Sequence, residues 1–284
     1  MRPGKFAYHR AETIDAALEL LTNNEDAKVL AGGHSLIPAL NLRLAQPEML
    51  IDIGRLENLR GIQANGSLMI GALTTHAQIE TSAAVQQYCR ALSAAVSKVG
   101  DPMVRNRGTI GGNIAHADPA SDPPTVLLAC DSIIHLQGPD GTRTVPVQDF
   151  FLDLFTTDVQ PNELVTGIEV PNMSDHKTAY AKLTHPASHY AVVGVCVAVK
   201  MDGDTCDHAH VAIGGALPKA MRSPGAEAAL AGTTLDDAAL NAAAEALMDE
   251  IRAEVMGDVY APEAYRTAMA GVYLKRAIRQ ALAS

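Results

Sequence analysis

Apolar positions along the chain switch between two spacings. Ile14, Ala17, Leu18 and Leu21 recur at the i, i+3, i+4, i+7 interval of a helix, with Thr13 placed to cap it. Short apolar runs at Lys28–Leu30, Met49–Ile53, Leu68–Gly71, Leu164–Val170, Tyr180–Leu183, Val192–Met201 and His208–Ile213 predict strands. Gly138-Pro-Asp-Gly141, set between Ile133–Leu136 and Thr144–Val147, predicts a hairpin. Helices are expected over Ala83–Val99, Pro123–Ala129, Leu235–Ala253 and Pro262–Ala283, and Ser223-Pro224 places a capping residue before a proline at the first helical position. A loop dense in Gly, Asn, Asp and Pro is expected from Gly100 to Pro124.

Strands and helices are segregated rather than strictly alternating, which predicts an α+β class. Pro171-Asn-Met-Ser-Asp-His176 looks like a linker, so a boundary is expected near 175, with one domain over 1–175 and another over 176–284. The chain has 284 residues, 48% hydrophobic and 19% charged, which is globular rather than disordered. No apolar run approaches the roughly 20 residues needed to span a bilayer, and the first ten residues contain no secretory h-region. A cytoplasmic protein is the expectation. The formal net charge of −10 disfavours contact with a phosphate backbone, so nucleic acid is not an expected partner. Cys89, Cys130, Cys196 and Cys206 are far apart with no C-x-x-C, so no zinc or iron–sulfur site is expected. The spacing of His34, His116 and Asp118 likewise matches no metal-binding pattern.

Two glycine pairs carry the chemistry. In Val29-Leu-Ala-Gly-Gly-His-Ser-Leu-Ile-Pro38 a strand runs into Gly32-Gly33, and Ser35 precedes an apolar stretch that looks helical. Residues without Cβ let successive backbone N–H groups approach a ligand, and a helix N-terminus adds partial positive charge. Ser35 either caps the helix or offers its hydroxyl to a phosphate. Asn106-Arg-Gly-Thr-Ile-Gly-Gly-Asn113 repeats the pattern, with Asp122 beyond it as a helix cap or an acceptor for sugar hydroxyls. Two such turns suggest a ligand with more than one phosphate, although each alone is also explained as a plain turn. Arg105 and Arg107 flank the second loop and suit either phosphate or an acidic partner. Neither a P-loop nor a G-x-G-x-x-G sequence is present, which argues against both nucleotide folds that use them.

Ala31-Gly-Gly-His-Ser-Leu-Ile-Pro-x-Leu40, Leu50-Ile-Asp-Ile53, and Thr109-Ile-Gly-Gly-Asn113 with Pro119-x-Ser-Asp122 resemble the FAD-binding (medium) subunits of the xanthine dehydrogenase and aerobic carbon monoxide dehydrogenase family of molybdenum hydroxylases. The resemblance runs nearly end to end. It implies a two-lobed FAD-binding domain of the vanillyl-alcohol-oxidase (PCMH) type, with lobes over about 1–57 and 58–175, and a small α/β C-terminal domain. It implies that Ala31, Gly32, Gly33, His34, Ser35 and Leu36 hold the pyrophosphate, and that Thr109, Gly111, Gly112 and Asn113 hold the diphosphate and ribityl region from the other side. Asp122, Val165, Lys182 and Tyr190 fall at further flavin-contacting positions, with Tyr190 beside the isoalloxazine ring. Read from the residues alone, Lys182 suits charge on a reduced ring or a strand end, and Tyr190 suits a flavin or a core edge. Val99 suits either the flavin's apolar face or the core.

No nucleophile–base pair and no pterin or metal motif is evident, so no catalytic residue is expected. The resemblance implies an electron-transfer subunit with FAD as cofactor. Its implied partners are a molybdenum-cofactor large subunit and a small subunit with [2Fe-2S] clusters, assembled as a dimer of heterotrimers. The implied external acceptor is quinone, NAD or oxygen, and the complex is able to sit at the inner membrane surface. Two other readings stay open here: a self-sufficient FAD oxidoreductase of the same fold, and a non-enzymatic nucleotide-binding module.

Overall fold

The structure is a computed structural model that describes residues 2–283. Its first lobe contains β1 (Ala7–Arg10), α1 (Ile14–Asn23), β2 (Ala27–Leu30), α2 (Leu36–Asn41) and β3 (Met49–Asp52). Thr13 caps α1 as its sequence position suggests, its hydroxyl accepting from the Ala16 amide at 3.1 Å. Ala17, Leu18 and Leu21 of α1 are buried in one cluster with Ala27, Ile51 and Ile53. Strand β3 lies centrally, parallel to both β1 and β2. The first glycine loop therefore leaves the carboxyl end of a strand in a parallel sheet, where α/β layers commonly present ligands.

The second lobe contains β4 (Ile62–Asn65), β5 (Ser67–Gly71), α3 (His76–Thr81), α4 (Ala83–Tyr88), α5 (Arg90–Val96), α6 (Pro102–Arg105), α7 (Ile110–His116), α8 (Pro123–Ala129), β6 (Ile133–Gly138), β7 (Gly141–Pro146), α9 (Val147–Phe150), β8 (Phe151–Asp153), β9 (Thr156–Thr157) and β10 (Leu164–Val170). An antiparallel sheet in the order β4-β5-β10-β6-β7 supports the helices. The expected hairpin is present, with Pro139 and Asp140 between paired Gly138 and Gly141.

Two expectations fail here. The single helix over Ala83–Val99 is broken at Cys89, whose φ is −152°. Groups from outside the helix satisfy the break: Tyr88 O accepts from the Met173 amide at 2.9 Å, and the Ala91 amide donates to Thr178 Oγ1 at 3.2 Å. The Gly100–Pro124 loop contains two short helices. Asp101 caps α6 by accepting from the Val104 amide, and Thr109 caps α7 by accepting from the Gly112 amide. Local caps overcome the low helix propensity of Gly111 and Gly112.

The remainder contains β11 (Lys177–Thr184), β12 (Ala191–Asp202), β13 (Thr205–Gly214), β14 (Met221–Arg222), α10 (Pro224–Leu230), α11 (Asp237–Ile251) and α12 (Glu263–Leu282). The strands form an antiparallel sheet in sequence order. Val195, Val197, Val199 and Val211 pack with Leu240, Leu247, Leu274 and Ile278 of the helices. Tyr180, Cys196, Ala198 and Ala212 join the core of the second lobe instead. Coverage on both faces explains why β12 reads Ala-Val-Val-Gly-Val-Cys-Val-Ala-Val without polar alternation. Among the described residues, no helix is long and apolar enough to cross a membrane.

Candidate functional site

A cavity of about 700 Å³ runs between the lobes and reaches the connection from β11 to β12, so Ser188, His189 and Tyr190 complete its wall. This volume lies in the range of about 300–1,000 Å³ common for small-molecule and cofactor sites. Its lining includes Ala31, Gly32, Gly33, His34, Ser35 and Leu36 from one loop and Thr109, Gly111, Gly112 and Asn113 from the other. Asp122, Val165 and Tyr190 also line it, as does Val99.

The two loops touch. A Cβ at Gly32 would lie 2.2 Å from the carbonyl oxygen of Arg107, and one at Gly112 would lie 3.7 Å from Ala31 Cβ. Gly32 is thus needed for loop-to-loop approach. Gly33 serves the turn itself, with φ at +76°, a region that residues bearing Cβ rarely adopt. Ser35 makes no capping bond to α2, which leaves its exposed hydroxyl to the cavity. His34 is exposed, and its Nδ1 lies 3.1 Å from the Gly32 carbonyl oxygen.

The second loop differs in one respect from the sequence picture of successive amides turned toward a ligand. The Ile110 amide donates to Thr74 O, Gly111 to Ala72 O, Gly112 to Thr109 Oγ1 and Asn113 to Thr109 O. What this loop turns to the cavity is the side chains of Thr109 and Asn113 and a surface of glycine. Gly111 sits where a Cβ would stand 2.5 Å from Ala72 Cβ, so the start of α7 is pressed onto the segment that follows β5.

Asp122 neither caps α8 nor stands free, and Lys182 lies outside the cavity lining. Lys182 Nζ donates to Asp122 Oδ2 at 2.8 Å and to Lys98 O at 3.0 Å, and Tyr180 donates its hydroxyl to Asp122 Oδ1 at 2.6 Å. Lys182 is therefore not a surface residue: it is buried and joined to the cavity lining through Asp122. Burial pushes the Asp122 carboxyl upward in pKa, and Lys182 opposes that shift. Gly194 makes room for this network, since a Cβ there would fall 2.3 Å from the Tyr180 hydroxyl. Arg105 does not face a ligand either, because it donates to Glu80 at 2.8 Å.

Several lining residues lacked any sequence signal, among them Ala72, His76, Phe155 and Glu163. His76 is 2% exposed, and its Nδ1 has no hydrogen-bond partner. Burial, then the nearby Arg105, pushes its pKa down to about 4. His116, to which the sequence assigned no role, meets Phe155 in the lining, with ring centroids 5.2 Å apart and planes tilted at 44°. Burial and then the Asp118 carboxylate push the Tyr190 phenol up to about 12, so it stays protonated at neutral pH.

The charge arrangement fits a diphosphate. The two buried or half-buried carboxylates in the lining are both paired, Asp122 with Lys182 and Glu163 with Arg143 through two 2.7 Å bonds. Lys28, the glycine-rich turn and the hydroxyls of Ser35 and Thr109 are among the groups left in the lining for an anion.

Comparison with known proteins places this arrangement in a group. Residues 4–173 match the FAD binding domain in molybdopterin dehydrogenase, and residues 178–281 match the CO dehydrogenase flavoprotein C-terminal domain. The chain is 40% identical to the carbon monoxide dehydrogenase medium chain of Hydrogenophaga pseudoflava, over 100% of this chain and 99% of that one. It is 38% identical to the glyceraldehyde dehydrogenase medium chain of Sulfolobus acidocaldarius, over 94% and 92%. It superposes on a chain of the carbon monoxide dehydrogenase structure from Hydrogenophaga pseudoflava with a TM-score of 0.96, at 41% identity and covering 100% of this chain and 99% of that one.

Proposed function

The chain belongs to the FAD-binding subunits of the molybdenum hydroxylase family, and we propose that it relays electrons within a carbon monoxide dehydrogenase-type complex. The supporting observation is that both glycine loops meet in one cleft whose carboxylates are already paired. FAD supplies a centre that accepts electrons singly and releases them in pairs.

In this reading, the first loop and Ser35 bind the pyrophosphate, and Thr109 and Asn113 orient it from the facing side. Val165 and Val99 exclude water from an apolar section of the cleft. Tyr190, protonated at neutral pH, lies against the flavin ring without taking its charge. Asp122 holds its orientation through Tyr180 and Lys182 and fixes the polar end of the cavity. The partners are a molybdenum-bearing large subunit and a small [2Fe-2S] subunit, with two heterotrimers in the assembly. The terminal acceptor is quinone, NAD or oxygen, and carbon monoxide is the substrate class that the 40% identity favours.

The glyceraldehyde relative is nearly as similar, at 38% identity, which favours aldehyde oxidation as a second reading. Substrate choice lies with the large subunit. Purification of the chain with and without its partners tests the assignment. The chain alone is expected to show a flavin absorption band and no turnover of carbon monoxide or aldehydes. Turnover by the chain alone would overturn it, and the assembled complex decides between the two substrates.

A further inference from the structure

At the edge of the C-terminal sheet's β11 and β13, two histidines from distant parts of the sequence face each other. His176 precedes β11 and His208 lies on β13, opposite Lys200 of the intervening β12. Their Nε2 atoms are 3.3 Å apart, and their rings meet at 71°. Each ring is anchored at its other nitrogen by a carboxylate: His176 Nδ1 to Asp175 Oδ1 at 2.6 Å, and His208 Nδ1 to Asp207 Oδ2 at 3.0 Å.

With a carboxylate oxygen beside each Nδ1, the two Nε2 atoms are the ring nitrogens that face one another. Two ring nitrogens at this distance are suited to sharing one electrophile between them. Two nitrogens bound at about 2.0–2.1 Å to one tetrahedral zinc ion are about 3.3–3.4 Å apart. Carboxylates on the non-ligating nitrogens are the usual outer partners of zinc-bound histidines.

We propose that His176 and His208 form a site for a borderline divalent metal ion of the zinc type, with Asp175 and Asp207 fixing both rings. Among the described residues, no third His, Cys, Asp or Glu completes a metal-binding group, so water or a small anion takes the other positions and the ion is exchangeable. Lys200, opposite His208, has its ammonium committed to Asp175 Oδ2 at 2.9 Å. The two carboxylates outnumber it.

Calorimetric titration of the chelator-treated, FAD-loaded full chain with zinc chloride at pH 7.5 tests the site. One equivalent is expected to bind. His176→Ala and His208→Ala are each expected to weaken that binding at least 10-fold, and Asp207→Asn about 10-fold. Flavin content and melting temperature should match the unsubstituted chain. The carboxylate variant keeps the test valid if a histidine variant fails to fold. Absence of zinc uptake, or equal uptake by the unsubstituted chain and the His176→Ala/His208→Ala double variant, would overturn the proposal.

Discussion

A Cβ built on Gly32 stands 2.2 Å from the carbonyl oxygen of Arg107, so the two glycine loops are in backbone contact across the cleft. This glycine is needed for the approach of protein to protein, which the sequence alone presented as an approach of protein to phosphate. Gly32→Val should force the loops apart, costing about 1–3 kcal/mol in stability and lowering flavin content together. Gly4→Ala, whose Cβ would meet only Gln46 at 3.6 Å, serves as a neutral control. Thermal melts and the ratio of flavin to protein absorbance measure both effects.

The pair Lys182–Asp122 is nearly closed to solvent, with side chains 0% and 4% exposed. Lys182→Met leaves a buried carboxylate with only the Tyr180 hydroxyl, and is expected to cost about 3–5 kcal/mol in chemical denaturation. Lys182→Met combined with Asp122→Leu should recover a large part of that loss, while leaving the cavity less able to hold FAD. Equal instability of the single and double variants would contradict the pairing.

His76 predicts a pH dependence. Its folded pKa of about 4 lies below the ordinary 6.5, so the unfolded chain binds more protons between those values. The group therefore leaves stability intact above about pH 6.5 and removes it as pH falls toward about 4. The total is on the order of 3 kcal/mol for the 2.5-unit difference. His76→Phe should flatten this part of the acid-stability curve. A variant whose loss between pH 6.5 and 4 equals that of the parent would refute the assignment.

Cys89, Cys130, Cys196 and Cys206 are free and buried, with the first two thiols 3.5 Å apart. Burial pushes the Cys196 and Cys206 thiols up in pKa, which makes them poor nucleophiles. A thiol-specific chromophoric reagent should titrate almost none of the four in the native chain and all four in denaturant. Rapid native reaction at any of them would contradict the burial.

Much of the fold was legible because it rests on local signals. Thr13 and Ser223 cap helices where their positions suggest, and Gly138-Pro-Asp-Gly141 turns a hairpin. The break at Cys89 was not legible, since its freed backbone groups are taken by Met173 and Thr178, more than eighty residues away. The glycine loops stood out in the sequence because Gly-Gly with a following hydroxyl is a local pattern. The burial of Lys182 was hidden for the opposite reason. Its role depends on Asp122 and Gly194, and no spacing along the chain announces that the three meet. His76 lay in plain helix-start sequence and was identifiable only once α3 was packed against Gly108.

The central claim is that the cleft grips the diphosphate of a dinucleotide rather than a flavin ring alone. Fluorescence titration of the deflavinated chain with FAD and with riboflavin tests it most directly. The account predicts one equivalent of FAD bound, with riboflavin at least 100-fold weaker, a difference of about 2.7 kcal/mol. Riboflavin bound as tightly as FAD, or no FAD bound by a folded chain, would contradict it.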